Sequence, residues 1–138
     1  CDGRHLHPGT VRMLLKCKGW ERVIAITDSI MAAGLPDGEY KLGVNDVVVK
    51  DGDAKLKTTG VRAGSTLTMC KALQNLVAFT GRPAEDALPL LTSNVAAALR
   101  LSDRQGEIKP GLDADFVLLS DDLRVNATIV GGECVYRQ

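Results

Sequence analysis

The 138-residue sequence has few aromatic residues, no excess of charge of either sign and no long apolar run. Lysine plus arginine and aspartate plus glutamate both number 17, and no basic tail or stripe is present, so a nucleic-acid partner is not expected. No apolar segment approaches the roughly 20 residues that span a bilayer, so a membrane partner is not expected either. The sequence does contain 45% hydrophobic residues, which is enough for a globular core of ordinary size.

The cysteines are too scattered to form the close pairs of zinc or redox motifs. Cys17 and Cys70 lie among apolar residues of predicted helices, so we expect small buried thiols there. Reduced thiols are typical of the cytoplasm, which is the predicted location, with a disulfide as the alternative. Because the sequence starts at Cys1, already inside the motif-like segment 2–5, we expect a piece cut from a longer polypeptide.

The first elements predicted are a helix and one buried strand. Thr10 can cap a helix over residues 11–18, and Gly19 can end it. Residues 23–27 are an unbroken, mostly β-branched apolar run, which predicts a strand buried on both faces of a parallel sheet. One strand cannot make a sheet, so we expect further strands to precede this sequence.

Two small β units are predicted around a helical stretch. Short strands with an Asp-Gly hairpin turn lie within residues 38–60, and strands joined by Gly-Gly lie within residues 112–138. Between them, Ser65 opens a helix that Gly81 closes, and a second helical run splits at Pro89. Since helices interrupt the β units, we expect both units to meet in one small sheet beside an α/β body.

Asp28 and two histidines are the candidates for chemistry. Asp28 follows the predicted buried strand, and α/β proteins place ligand-facing groups at the carboxyl ends of parallel strands. The alternative is that Asp28 only caps the next turn. His5 and His7 would point to one face of a strand, as metal ligation requires, but two ligands do not make a zinc site. The sequence therefore does not favour metal binding by this pair.

Several motifs together resemble the N-acetylglucosamine-6-phosphate deacetylase family, in order and in spacing. They are Asp-Gly-Arg-His at 2–5, Ile-Thr-Asp-Ser at 26–29, Ala-Ala-Gly at 32–34, Ala-Gly-Ser-Thr-Leu-Thr-Met at 63–69, Thr-Ser-Asn-Val-Ala-Ala-Ala at 92–98, Lys-Pro-Gly-Leu-Asp-Ala-Asp-Phe at 109–116 and Val-Gly-Gly at 130–132. The resemblance implies an α/β fold. Residues 1–37 and 61–111 would form the C-terminal part of a (β/α)8 TIM barrel, and residues 38–60 and 112–138 would belong to a small β-sandwich domain.

The family hydrolyses the N-acetyl group of N-acetylglucosamine 6-phosphate, in amino-sugar catabolism. By resemblance, Asp28 would be general base and then general acid, while His5, Arg62, Ala63 and Gly64 would bind the amino-sugar phosphate. A divalent metal, expected to be zinc, would activate the water, with its main ligands on earlier strands, so no metal ligand is assigned within this sequence. A homodimer is expected for the complete enzyme.

Some assignments have alternatives. Members of the family usually carry an apolar residue where Arg62 stands, so we expect its side chain to reach solvent rather than the sugar phosphate. We expect Ser65 to be a helix N-cap. The loop over residues 29–37 would either cover a pocket or be a packed connector.

Other functions also fit parts of the pattern. These are an N-acetylgalactosamine-6-phosphate deacetylase, a dihydroorotase or D-aminoacylase relative, and a non-catalytic fragment. The motif at 63–69 argues against the dihydroorotase and D-aminoacylase relatives. The enzyme function is therefore assigned to the parent protein, and the isolated chain is expected to be inactive.

Overall fold

Four α-helices and six strands make up the computed structural model, which describes all 138 residues. The helices are α1 (Pro8–Lys18), α2 (Met69–Thr80), α3 (Ala84–Ala87) and α4 (Ser93–Leu99). The strands are β1 (Gly38–Leu42), β2 (Asn45–Lys50), β3 (Asp53–Leu56), β4 (Phe116–Leu119), β5 (Val125–Val130) and β6 (Glu133–Arg137). The α/β class is confirmed. None of the helices has the length and apolar character needed to cross a membrane.

Helix α1 is confirmed, but its cap differs from the expected one. The helix begins at Pro8, because His7 Nδ1 accepts a hydrogen bond from the Gly9 N–H at 3.0 Å. It ends at Gly19, whose φ of 81° suits a residue without a side chain. Val11 and Leu15 form the buried face, whereas Cys17 is exposed, so the expected buried thiol is wrong at this position.

Helix α2 starts later than predicted. Its N-cap is Thr68, whose hydroxyl accepts from the Lys71 N–H at 3.2 Å, and Gly81 ends it in the left-handed conformation. The expectation that Ser65 caps this helix is therefore wrong. The following helical run splits into α3, a 3-10 turn over Leu88–Leu91 and α4, which confirms the break predicted at Pro89.

The helices share one apolar core. Its buried members are Val11, Leu15, Ala25, Leu73, Leu76, Ala87 and Leu90. Residues 23–27 join it through Ala25, whose N–H donates to the Leu90 carbonyl at 2.9 Å, while Ile24 and Ile26 are 39% and 67% exposed. The predicted strand buried on both faces is wrong for this chain, because no other strand lies alongside this extended run to pair with it.

The two β units form separate antiparallel sheets, ordered β1-β2-β3 and β4-β5-β6. The expectation of one sheet is wrong, since each unit makes its ladder hydrogen bonds within its own hairpins. The first sheet has its own small core, made by Ile30, Ala32, Val47, Val49 and Ala54. Ile30 and Ala32 belong to the loop after Asp28, so part of this loop is a packed connector. Assignment of both sheets to one β-sandwich domain stays a prediction.

Candidate functional site

Asp28 lies at the exposed end of the extended run over residues 23–27. Its φ of 51° is in the left-handed region, which few residues other than glycine adopt. Its carboxylate accepts no hydrogen bond from the protein, and Thr27 Oγ1 instead accepts from the Ser29 N–H at 3.3 Å. The side chain therefore does not cap the next turn. It is available to a ligand.

A short parallel pairing holds the backbone on both sides of Asp28. The Ser65 N–H donates to the Asp28 carbonyl at 2.8 Å, and the Ile30 N–H donates to the Ser65 carbonyl at 2.9 Å. The Ser65 hydroxyl donates to the Thr27 carbonyl, and the Ser29 hydroxyl donates to the Leu67 carbonyl. We call these four bonds the serine clasp.

Gly64 permits the close approach that the serine clasp requires. A Cβ at this position would lie 2.6 Å from Ile30 Cγ2 and 3.0 Å from the Asp28 carbonyl oxygen. Gly64 also has a φ of 60°. The structure therefore places the backbone of Gly64 directly beside the backbone of Asp28.

His5 is exposed and is oriented by Asp2. Its Nδ1 lies 2.7 Å from Asp2 Oδ2, and Asp2 Oδ1 accepts from the backbone N–H groups of Arg4 and His5, both at 3.1 Å. Burial raises the pKa of Asp2, but the hydrogen bonds from His5 and Arg4 outweigh it and lower that pKa to about 2. The carboxylate thus fixes the ring through Nδ1, which leaves Nε2 for a ligand.

The histidine pair does not have the geometry of a metal site. Residues 3–6 form bends rather than a strand, so His5 and His7 do not share a strand face. His7 Nδ1 is engaged in the N-cap of α1. No group of three or more His, Cys, Asp or Glu side chains lies close enough together to hold a metal ion. The residues present do not by themselves fit a resident metal.

Arg62 links the segment that carries His5 to the first sheet. Its Nε and Nη2 donate to the two Asp53 carboxylate oxygens at 2.7 and 3.0 Å, and its Nη1 donates to the Arg4 carbonyl at 3.0 Å. Hydrogen bonding from Arg62 holds the pKa of Asp53 well below its ordinary value. The expectation that Arg62 extends into solvent is wrong, because its guanidinium is engaged within the protein. Substrate contact by Arg62 stays a prediction.

A cavity of about 360 Å³ lies beside Asp53 of the first sheet. Its wall includes Gly64 and Ser65 from the clasp region and Asp2 from the His5 segment. Neither Asp28 nor His5 lines it.

Sequence reasoning missed Asn94, which anchors the run leading to Asp28. Its side-chain amide donates to the Trp20 carbonyl at 2.7 Å and to the Val23 carbonyl at 2.8 Å. Asn94 belongs to the motif at 92–98, and a polar side chain among alanines was the available signal. The partners of the amide, more than 70 residues away in the sequence, could not be identified from the motif.

Comparison with known proteins shows the family to which this chain belongs. The sequence profile of the amidohydrolase family matches residues 5–135. The N-acetylglucosamine-6-phosphate deacetylase of Bacillus subtilis is 36% identical over 135 residues, which are 98% of this chain and 34% of that protein. A putative N-acetylgalactosamine-6-phosphate deacetylase of Escherichia coli K12 is 34% identical over 132 residues, covering 96% of this chain and 78% of that protein.

The fold is shared with a solved member. The crystal structure of N-acetylglucosamine-6-phosphate deacetylase from Thermotoga maritima superposes with a TM-score of 0.92 at 42% identity, covering 100% of this chain and 38% of that one. This chain thus spans about a third of the length of the Bacillus subtilis relative. Family profile, sequence identity and superposition agree, and the chain belongs to the amidohydrolase family, within which it is similar to part of the N-acetylglucosamine-6-phosphate deacetylases.

Proposed function

We propose that this chain carries the catalytic carboxylate, Asp28, of an enzyme that hydrolyses N-acetylglucosamine 6-phosphate to glucosamine 6-phosphate and acetate. The observation that supports this most is the Asp28 carboxylate, which no protein group engages although its backbone is held on both sides. In the same proposal, residues 1–37 and 61–111 are the last part of a (β/α)8 barrel. Residues 38–60 and 112–138 belong to its small β-sandwich domain.

The chemistry needs one group that accepts a proton and later returns it. Water attacks the acetyl carbon as Asp28 takes its proton, and the C–N bond breaks as Asp28 delivers that proton to the departing nitrogen. His5 would contact the sugar through Nε2, and the backbone of Ala63 and Gly64 would line the substrate site. A direct contact from Arg62 would require it to leave Asp53, so we propose mainly an indirect role for it, through the His5 segment.

The amidohydrolase family is generally metal-dependent, and a divalent cation, which we expect to be zinc, would supply Lewis-acid polarisation. Because no cluster of this chain can hold a metal, its main ligands would come from residues outside the chain. We therefore assign no metal-dependent step of the reaction to the residues described above. The isolated chain is expected to be inactive for the same reason.

The similarity to the Escherichia coli protein makes N-acetylgalactosamine 6-phosphate the second candidate substrate. We also propose a cytoplasmic location and a homodimer for the complete enzyme. All four cysteines are unpaired in the structure, which suits a reducing compartment. Sedimentation of the complete enzyme tests the dimer.

The test is hydrolysis by the complete enzyme, measured as acetate release from both hexosamine phosphates and from an N-acetyl amino acid, and as ring opening to N-carbamoyl-aspartate for dihydroorotate. We expect the highest kcat/KM with N-acetylglucosamine 6-phosphate. If the complete enzyme releases acetate from neither hexosamine phosphate, the proposal is contradicted. The isolated chain, assayed with added zinc, should show no turnover, and turnover would refute the inference that metal ligands lie outside it.

A further inference from the structure

We infer that Ser65 and Ser29 are positioning residues, which hold Asp28 where it can exchange protons with the substrate. This inference rests on the proposed catalytic role of Asp28. The Asp28 side chain has no hydrogen bond of its own, so its position depends on its backbone. That backbone is in the left-handed region, and a non-glycine residue persists there only when its surroundings determine it.

Ser65 makes contacts before, at and after Asp28. It is the only polar residue among the buried ones, with 5% of its surface exposed. Its hydroxyl donates to the Thr27 carbonyl, its N–H donates to the Asp28 carbonyl, and its carbonyl accepts from Ile30. Since a buried hydroxyl is costly without partners, its hydrogen bonds tie it to this one place.

Ser29 makes the reciprocal contact. Its hydroxyl donates to the Leu67 carbonyl, while the Leu67 N–H donates back to the Ser65 hydroxyl at 3.1 Å. The two hydroxyls therefore close the pairing from both sides, one on each segment. If one hydroxyl is removed, the two backbone hydrogen bonds of the serine clasp remain. The fold can therefore persist while the Asp28 side chain becomes less fixed in position.

Displacement of a proton-transfer group lowers the reaction rate more than it weakens substrate binding. A misplacement of about 1 Å can cost roughly 100-fold in rate. Ser65→Ala in the complete enzyme should therefore lower kcat about 10- to 100-fold, with KM changed less than about threefold. Ser29→Ala should lower kcat in the same direction but less.

The decisive experiment is a double-mutant cycle with Asp28→Asn in the complete enzyme. If Ser65 acts through Asp28, adding Ser65→Ala to Asp28→Asn should leave the residual kcat unchanged, because the positioned group is already gone. A purely structural role predicts the same proportional loss in both backgrounds. Equal losses therefore overturn the inference.

The matched control is Ser120→Ala. The Ser120 hydroxyl also joins two parts of the backbone in a turn, here in the second sheet: it accepts from the Arg124 N–H at 3.1 Å and lies 3.2 Å from the Arg124 carbonyl. It donates most closely to the Asp122 carboxylate, at 2.5 Å, and touches no part of the Asp28 segment. Its removal should leave kcat unchanged. If Ser65→Ala does not fold, the same cycle is run with Ser29→Ala, whose position is exposed.

The outcomes separate this inference from the proposed function. A normal kcat for Asp28→Asn rejects the function, and the positioning role with it. A large loss for Asp28→Asn together with a normal kcat for folded Ser65→Ala and Ser29→Ala rejects the positioning role alone.

Discussion

Replacing Gly64 by alanine tests how tightly the chain packs beside Asp28. The new Cβ would lie 2.6 Å from Ile30 Cγ2 and 3.0 Å from the Asp28 carbonyl oxygen, and neither Ile30, which is buried, nor a hydrogen-bonded backbone oxygen can move freely. The left-handed backbone of Gly64 would cost an alanine about 1–2 kcal/mol. Overpacking adds about 1–3 kcal/mol, so a total loss of about 2–5 kcal/mol is expected.

Gly60→Ala is the matched control for this change. Gly60 also has a positive φ, of 70°, but no atom lies within 4 Å of where its Cβ would be. It should lose only the conformational contribution, about 1–2 kcal/mol. Urea unfolding of both variants measures the difference in their free energies of unfolding, which should be about 1–3 kcal/mol. The dependence of that free energy on urea concentration should be unchanged. Equal losses for the two variants would refute the close packing beside Asp28.

Two further predictions concern acid stability and the anchor of the run before Asp28. The Asp2 pKa is about 2 in the folded chain and near 3.8 when unfolded, so its ionisation stabilises the fold above about pH 4, and this stabilisation is lost as pH falls through 2. The free energy of unfolding of Asp2→Asn, measured by urea titration at pH 2 to 5, should therefore fall less steeply with decreasing pH than that of the parent. An equally steep fall in both proteins would contradict this prediction. Asn94→Ala leaves two carbonyls without their donor and should cost about 1–3 kcal/mol. Thermal melting tests this, with exposed Asn126→Ala as the control, and equal melting temperatures would exclude the anchor role.

Local structure could be predicted from the sequence because its signals are local. The Asp51-Gly52 turn joins β2 to β3 with both residues at positive φ, as an Asp-Gly pair in a hairpin favours. Gly19 and Gly81 end their helices for a similar reason. Whether two β units share one sheet depends on edges far apart in the sequence, and that prediction was wrong.

The site was predicted only in part, for physical reasons. The run over residues 23–27 has the composition of a buried strand, but burial needs neighbours that this chain does not supply. Ser65 was expected to be a helix cap because a serine hydroxyl accepts from backbone N–H groups in both settings. Its real partner, Thr27, is 38 residues away, and no local pattern contains that pairing.

Asp28→Asn in the complete enzyme tests the central claim most directly. The change keeps size and shape but removes the proton acceptor, so kcat should fall by about 10²–10⁴, roughly 3 to 5.5 kcal/mol of barrier. The melting temperature should not fall, because no protein group donates to this carboxylate. Asp121→Asn, at an exposed position in the second sheet's turn, is the control and should keep normal kcat. A kcat for Asp28→Asn within about threefold of the parent would contradict the catalytic role.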